Sequence, residues 1–255
     1  MAHSDRRISP MLTRILAAAL FAGLLAGALI TPVQQMKLVP LILAAEVYED
    51  GGAPAPHAAA LGLVSPALAH SAGEHAHSGG EHDEATTLVA SRTGGSLLAN
   101  LVLGCGFALL LAAASLAVNR PITFRNGALW GLAGFGVLTL APALGLPPEL
   151  PAMPAGDLAA RQLWWLGTVA ASAAGLALLV LRASPAARIG GLTLLIAPHL
   201  VPAPHPADLA SPIPPTLAAE FAVASLSVSA LFFVLIGLAA GFAFDRLAHR
   251  SARAA

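Results

Sequence analysis

The sequence predicts an all-α fold, a polytopic membrane helix bundle of about six transmembrane helices, with five spans as the alternative. Three observations carry this. Of 255 residues, 57% are apolar and only 10% are charged, against roughly 25% charged in an average soluble domain. Runs of about 20 predominantly apolar residues, the length that crosses a bilayer, recur along the chain. No period-two alternation marks the strands of a membrane barrel. Together they exclude an ordinary cytosolic enzyme, a nucleic-acid binder with a basic face and a disordered chain. The single cysteine, Cys105, excludes an intramolecular disulfide and a Cys-based zinc cluster.

Residues 1–14 form a basic N-terminal segment with Arg6, Arg7 and Arg14. Residues 15–33 are the first span. They also have the charge pattern of a signal peptide. The nearest cleavage-like stretch, at residues 66–70, lies too far downstream, so the segment is read as a retained helix. Residues 34–95 make a loop rich in histidine and acids. Five further spans follow at residues 96–118, 126–146, 162–181, 186–203 and 217–244, and residues 245–255 are a basic tail. The fifth is the weak one: its apolar core, residues 189–201, rises only about 20 Å, short of a core of about 30 Å. Read as re-entrant it leaves five spans.

Charge sets the orientation by the positive-inside rule. With the N-terminus in the cytoplasm and six crossings, Arg6, Arg7, Arg14, Arg120, Arg125, Arg182, Arg188, Arg246, Arg250 and Arg253 fall inside, and only Lys37, Arg92 and Arg161 outside. Five spans would put Arg246, Arg250 and Arg253 outside. Acids sort the other way: Glu46, Glu49, Asp50, Glu74, Glu81, Asp83, Glu84, Glu149, Asp157 and Asp208 lie outside. The zero formal net charge is thus the sum of a basic inner and an acidic outer face. This is the pattern of an inner (plasma) membrane protein with both termini cytoplasmic. Small residues four apart, Gly23/Gly27, Gly127/Gly131 and Gly237/Gly241, suit close helix contacts. Tyr48, Trp164 and Trp165 fall near the outer boundary and Trp130 near the inner one, as belt residues do.

Two constellations carry chemistry. The first is Glu74-His75-Ala76-His77-Ser78-Gly79-Gly80-Glu81-His82-Asp83-Glu84. Imidazole and carboxylate suit divalent first-row metals. In extended chain His75 and His77 share a side, and Gly79-Gly80 lets His82 fold back. With Glu74, Glu81, Asp83 and Glu84 they read as a flexible capture loop, or as a plain solvated loop. The second surrounds Pro198, which breaks the fifth helix near its outer end: His199, then His205 and Asp208. Interrupted helices are where transporters build ion sites. Glu220 lies inside the sixth span, where a carboxylate is a functional residue by default, although it also suits a helix N-terminus. Glu46 and Glu149 add charge at the same outer mouth. A metal path of Glu46, Glu149, His199, His205, Asp208 and Glu220 follows as an expectation. The bare His/carboxylate set of residues 74–84 would favour copper over cobalt or nickel. No P-loop, HExxH or GxSxG motif occurs, so no enzymatic activity is expected.

Several segments resemble the CbtA family of predicted cobalt transporter subunits. These are Phe21-Ala22-Gly23-Leu24-Leu25-Ala26-Gly27, Ala44-Ala45-Glu46 with Glu49, Phe124-Arg125-Asn126-Gly127-Ala128-Leu129-Trp130-Gly131-Leu132-Ala133-Gly134-Phe135, and Ala141-Pro142-Ala143-Leu144-Gly145-Leu146-Pro147-Pro148-Glu149-Leu150-Pro151. Arg161-Gln162-Leu163-Trp164-Trp165-Leu166-Gly167-Thr168 and Pro198-His199 with Pro204-His205-Pro206 complete the set. The resemblance implies an integral membrane component of cobalt uptake, associated with cobalamin biosynthesis. It also implies a small companion subunit with one span and a His-rich end. It supplies no ligand set. The expected cargo is Co²⁺, with Ni²⁺ and Zn²⁺ as alternatives. No tightly bound cofactor and no nucleic-acid partner are expected. The competing reading is a non-transporting membrane scaffold or metal sensor that assembles with a separate transporter.

Overall fold

The computed structural model describes residues 5–49 and 91–253. Among them the regular structure is entirely helical: α1 (Asp5–Lys37), α2 (Val39–Glu46), α3 (Arg92–Ala117), α4 (Phe124–Phe135), a π-helical stretch (Gly136–Leu140) running into the one-turn α5 (Ala141–Ala143), α6 (Leu158–Leu181), α7 (Pro185–Ile196) with a 3₁₀ turn (Ala197–Leu200), and α8 (Pro215–Arg253). Polar caps fix three starts. Ser91 accepts from Gly94 N at 3.0 Å, Asp157 from Ala160 N at 2.8 Å, and Ser184 from Ala187 N at 3.3 Å just ahead of Pro185. Each satisfies an amide that has no partner within its helix.

Among the described residues four segments are long and apolar enough to cross a membrane: Leu12–Lys37, Arg92–Ala117, Leu158–Leu181 and Pro215–Ala248. They contain, or nearly match, four of the expected spans. The other two, residues 126–146 and 186–203, are helical but interrupted, so the count of six is not met by continuous membrane-length helices. The physical reason is proline. Pro142 follows the widened π stretch, and Pro198 sits where α7 tightens into 3₁₀ geometry; neither has an N–H to continue an α-ladder. Helix α1 runs through Pro32 to Lys37, past the expected end at residue 33.

The described chain divides into two compact units. Of the described residues, one unit comprises 5–34, 91–135 and 228–253, the other 35–49 and 136–227. In the first unit α1 meets α3 at backbone contact. A Cβ added at Gly27 would fall 2.7 Å from the Asn100 carbonyl carbon, and Gly104 faces the Gly23 carbonyl. In the same way α4 meets α8, where a Cβ at Gly237 would lie 2.8 Å from Gly131 N. All three sequence pairs of small residues are thus helix contacts. Phe107, Phe232 and Phe233 pack together, with Phe107 and Phe233 ring centroids 4.7 Å apart. The same unit holds a buried uncharged network: Asn100 Nδ2 donates to Thr31 Oγ1 at 3.0 Å and to Gln34 Oε1 at 2.7 Å. Asp245 accepts from Phe124 N at 2.9 Å, placing a carboxylate at the positive end of α4.

In the second unit α6 and α7 form a hairpin that pinches at Gly175 and Gly191. A Cβ added at either glycine would lie under 3 Å from the other's carbonyl oxygen. At the opposite end of α6, the loop of residues 144–157 packs on residues 201–205. Gly145 abuts the Trp164 ring and the Ala203 Cβ, and Gly156 abuts the Pro204 carbonyl. That loop carries Ala152 at φ 64°, a left-handed conformation that costs an alanine roughly 1–2 kcal/mol and is held by the turn in which Met153 N donates to Leu150 O.

Candidate functional site

The described candidates sit in the second unit. Residues Glu74, His75, His77, Glu81, His82, Asp83 and Glu84 lie outside the described residues. Glu46 closes α2 and is half-buried. His199 is exposed on the 3₁₀ turn, its ring 6.3 Å from that of Trp164 and steeply inclined to it. Trp164 is itself anchored, donating Nε1–H to Val201 O at 3.2 Å. His205 is exposed, with its backbone against Gly156. Asp208 closes a local turn by accepting from Ala210 N at 2.8 Å. Glu220 is exposed in the second turn of α8.

The best-defined charged contact joins Glu149 to Arg161. Arg161 Nη2 stands 2.7 Å from Glu149 Oε2, with side chains only 4% and 16% exposed. Local structure makes the pair. Asp157 starts α6, Arg161 lies one turn in, and the folded-back loop of residues 147–156 returns Glu149 to it. The pair shields a carboxylate that the sequence places at an open mouth. In this arrangement Glu149 neutralises a guanidinium through its Oε2.

Among the described residues no three His, Cys, Asp or Glu side chains gather into a group that could hold a metal ion. The structure therefore joins Glu149 to Arg161 and His199 to Trp164, and gathers no three-ligand cluster from Glu46, His199 and Glu220. Two contributors went unremarked at the sequence level. Arg161 reads there only as one of few outer bases, and Trp164 only as a belt residue. The available signal was the isolation of Arg161 from the inner arginines, twelve positions from a lone acid in a proline-rich loop.

The arrangement offers scattered imidazoles and carboxylates on one unit and a guarded carboxylate beside them. Neither a curated relative nor a solved structure matches the chain. A family model described as probable cobalt transporter subunit (CbtA) matches residues 12–245. That match runs from the first membrane-length helix to the last, and so the chain belongs to the CbtA family.

Proposed function

We propose that this chain is a six-span inner-membrane subunit of a divalent metal uptake system, with Co²⁺ as cargo and a link to cobalamin synthesis. Residues 126–146 and 186–203 supply the two interrupted spans. The single observation that carries the reading is the family match across residues 12–245, on a chain with four membrane-length apolar helices among its described residues. The acidic, histidine-rich outer segments collect the ion. His75, His77, His82 and the neighbouring acids raise its local concentration, and Glu46, His199, His205, Asp208 and Glu220 pass it toward the bundle. A small His-rich single-span companion is the expected partner. No P-loop is present, so uptake draws on a gradient or another chain. A divalent cation entering at −100 mV gains about 4.6 kcal/mol, from roughly 2.3 per charge.

Reconstitution of the purified chain alone in liposomes, with Co²⁺, Ni²⁺ and Zn²⁺ in parallel, is the test. Potential-driven Co²⁺ influx supports the proposal. Binding without flux favours the second reading, a membrane scaffold or metal sensor serving a separate transporter. The occupation of Glu149 by Arg161 suits that reading, because it removes one carboxylate from a conducting mouth. In cells that depend on this system, Glu220→Gln should abolish Co²⁺ accumulation at normal protein level. Unchanged accumulation removes Glu220 from the path.

A further inference from the structure

Helix α6 is patterned inside out. Its buried residues are Arg161, Thr168, Ser172 and Gly175, all polar or glycine, while Leu163, Leu166 and Val180 are exposed. At 100° per residue the four buried positions fall within a sector of about 60°. By contrast, most of the residues that α1 buries are apolar, among them Ala18, Ala19, Ala22, Ala26 and Ile30. Polar side chains in a membrane helix face a bundle interior or a watered path.

Ser172 separates a path from simple packing. Thr31, Ser96, Thr168, Thr193 and Ser227 each donate their hydroxyl to the carbonyl four residues earlier, the usual refuge of a helical hydroxyl. Ser172 does not. It is 1% exposed, and its Oγ has no hydrogen-bond partner among the described residues. A hydroxyl enclosed in this way in the middle of an apolar helix forfeits its hydration unless something polar visits it. The polar face is closed at both ends. Toward the start of α6 the Arg161–Glu149 pair spans it at 2.7 Å. Toward the other end the Gly175–Gly191 crossing brings two backbones together.

We propose that this face lines the route of the cation, a conclusion that rests on the transport reading above. Thr168 and Ser172 would offer hydroxyl oxygens to the water shell of a hydrated divalent ion, between an outer closure at Glu149–Arg161 and an inner closure at Gly175–Gly191. The separation along α6 from Arg161 to Gly175 is about 21 Å. At the outer closure the ion's double charge competes with the guanidinium for Glu149.

The test uses the full chain in proteoliposomes, with Cys105→Ser as background. Thr168→Cys and Ser172→Cys are treated with a membrane-impermeant cationic thiosulfonate, and Ala174→Cys, at similar depth on the exposed face, is the control. The two buried-face variants should react faster than the control, because polar positions in a membrane helix face the interior or a watered path, and Co²⁺ should slow them. Equal rates on both faces, or no slowing by Co²⁺, overturn the proposal. Ser172→Ala provides a second measure. A packing role predicts unchanged flux with equal or higher stability, which also overturns it; a lining role predicts lower maximal flux at undiminished stability. Absent Co²⁺ uptake by the unsubstituted chain refutes the transport reading itself. Intact uptake with equal labelling of both faces refutes only the lining.

Discussion

Removing one partner of the Glu149–Arg161 pair should cost far more than removing both. The charges meet at 2.7 Å with side chains 4% and 16% exposed. At an effective dielectric of about 20 their attraction is on the order of 6 kcal/mol, and most of this only offsets the desolvation of the two ions. The pair's net worth is therefore small, but a stranded partner keeps its desolvation with nothing against it, at about 3–5 kcal/mol. Glu149→Gln and Arg161→Met should each lose roughly that much. The double variant should lose less than either single change, so the coupling should exceed one stranded-partner loss, about 3 kcal/mol or more. Equilibrium unfolding of the four purified chains in mixed detergent measures the cycle. Additive losses would refute a buried, mutually dependent pair. The same variants separate ligand from structural anchor. If Glu149→Gln abolishes Co²⁺ flux while stability holds, the carboxylate serves the ion more than it serves Arg161.

Two further outcomes follow. Gly237→Ala places a Cβ 2.8 Å from Gly131 N and 2.9 Å from the Gly127 carbonyl carbon, so it should destabilise by about 1–3 kcal/mol. Gly106→Ala and Gly167→Ala, which meet nothing within 4 Å, should be neutral or stabilising by up to about 1 kcal/mol; thermal unfolding ranks the three, and equal effects would deny the close crossing. Trimming residues 74–84 should raise the Co²⁺ concentration needed for half-maximal uptake and leave maximal flux largely intact, as initial-rate uptake shows directly. A collapse of maximal flux would make that segment part of the route.

The sequence made the helical character and the four long spans legible because apolar runs are local signals. It also marked Pro198 as a break, which the 3₁₀ turn at Ala197–Leu200 matches. The π stretch at Gly136–Leu140 was not legible, since nothing in Gly-Val-Leu-Thr-Leu distinguishes it from an α-helical run. The glycine pairs were visible but their partners were not. That Gly27 meets Asn100 and Gly127 meets Gly237 depends on contacts between residues far apart in sequence. Arg161 shows the same limit more sharply. Sidedness rules assign a base to a face, yet burial of that base depends on a loop folding back, with Ala152 held left-handed in it. Burial of Thr168 and Ser172 instead of the leucines of α6 reverses the expectation for a soluble helix, and only the packing reveals it.

The distribution of chemistry between the two units has a physical reason. In the first unit the helices approach until only glycine fits: α1 against α3 at Gly23, Gly27 and Gly104, and α4 against α8 at Gly127, Gly131 and Gly237. Backbones at that spacing leave no room for a hydrated ion between them. Within this unit the Asn100 network is uncharged and internally satisfied, and Asp245 is taken up at the start of α4. The second unit holds Glu46, Glu149, Arg161, His199, His205, Asp208 and Glu220, together with the one buried serine whose hydroxyl is unpartnered among the described residues. Tight glycine crossings suit a rigid frame, and the second unit has its own at Gly175–Gly191; its exposed imidazoles, guarded carboxylate and the unpartnered hydroxyl of Ser172 suit the ion contact proposed above. Substitutions at the first unit's glycine crossings should therefore act mainly through the amount of folded protein, and, on the transport reading, those at the exposed His199, His205, Asp208 and Glu220 of the second mainly through flux per folded molecule.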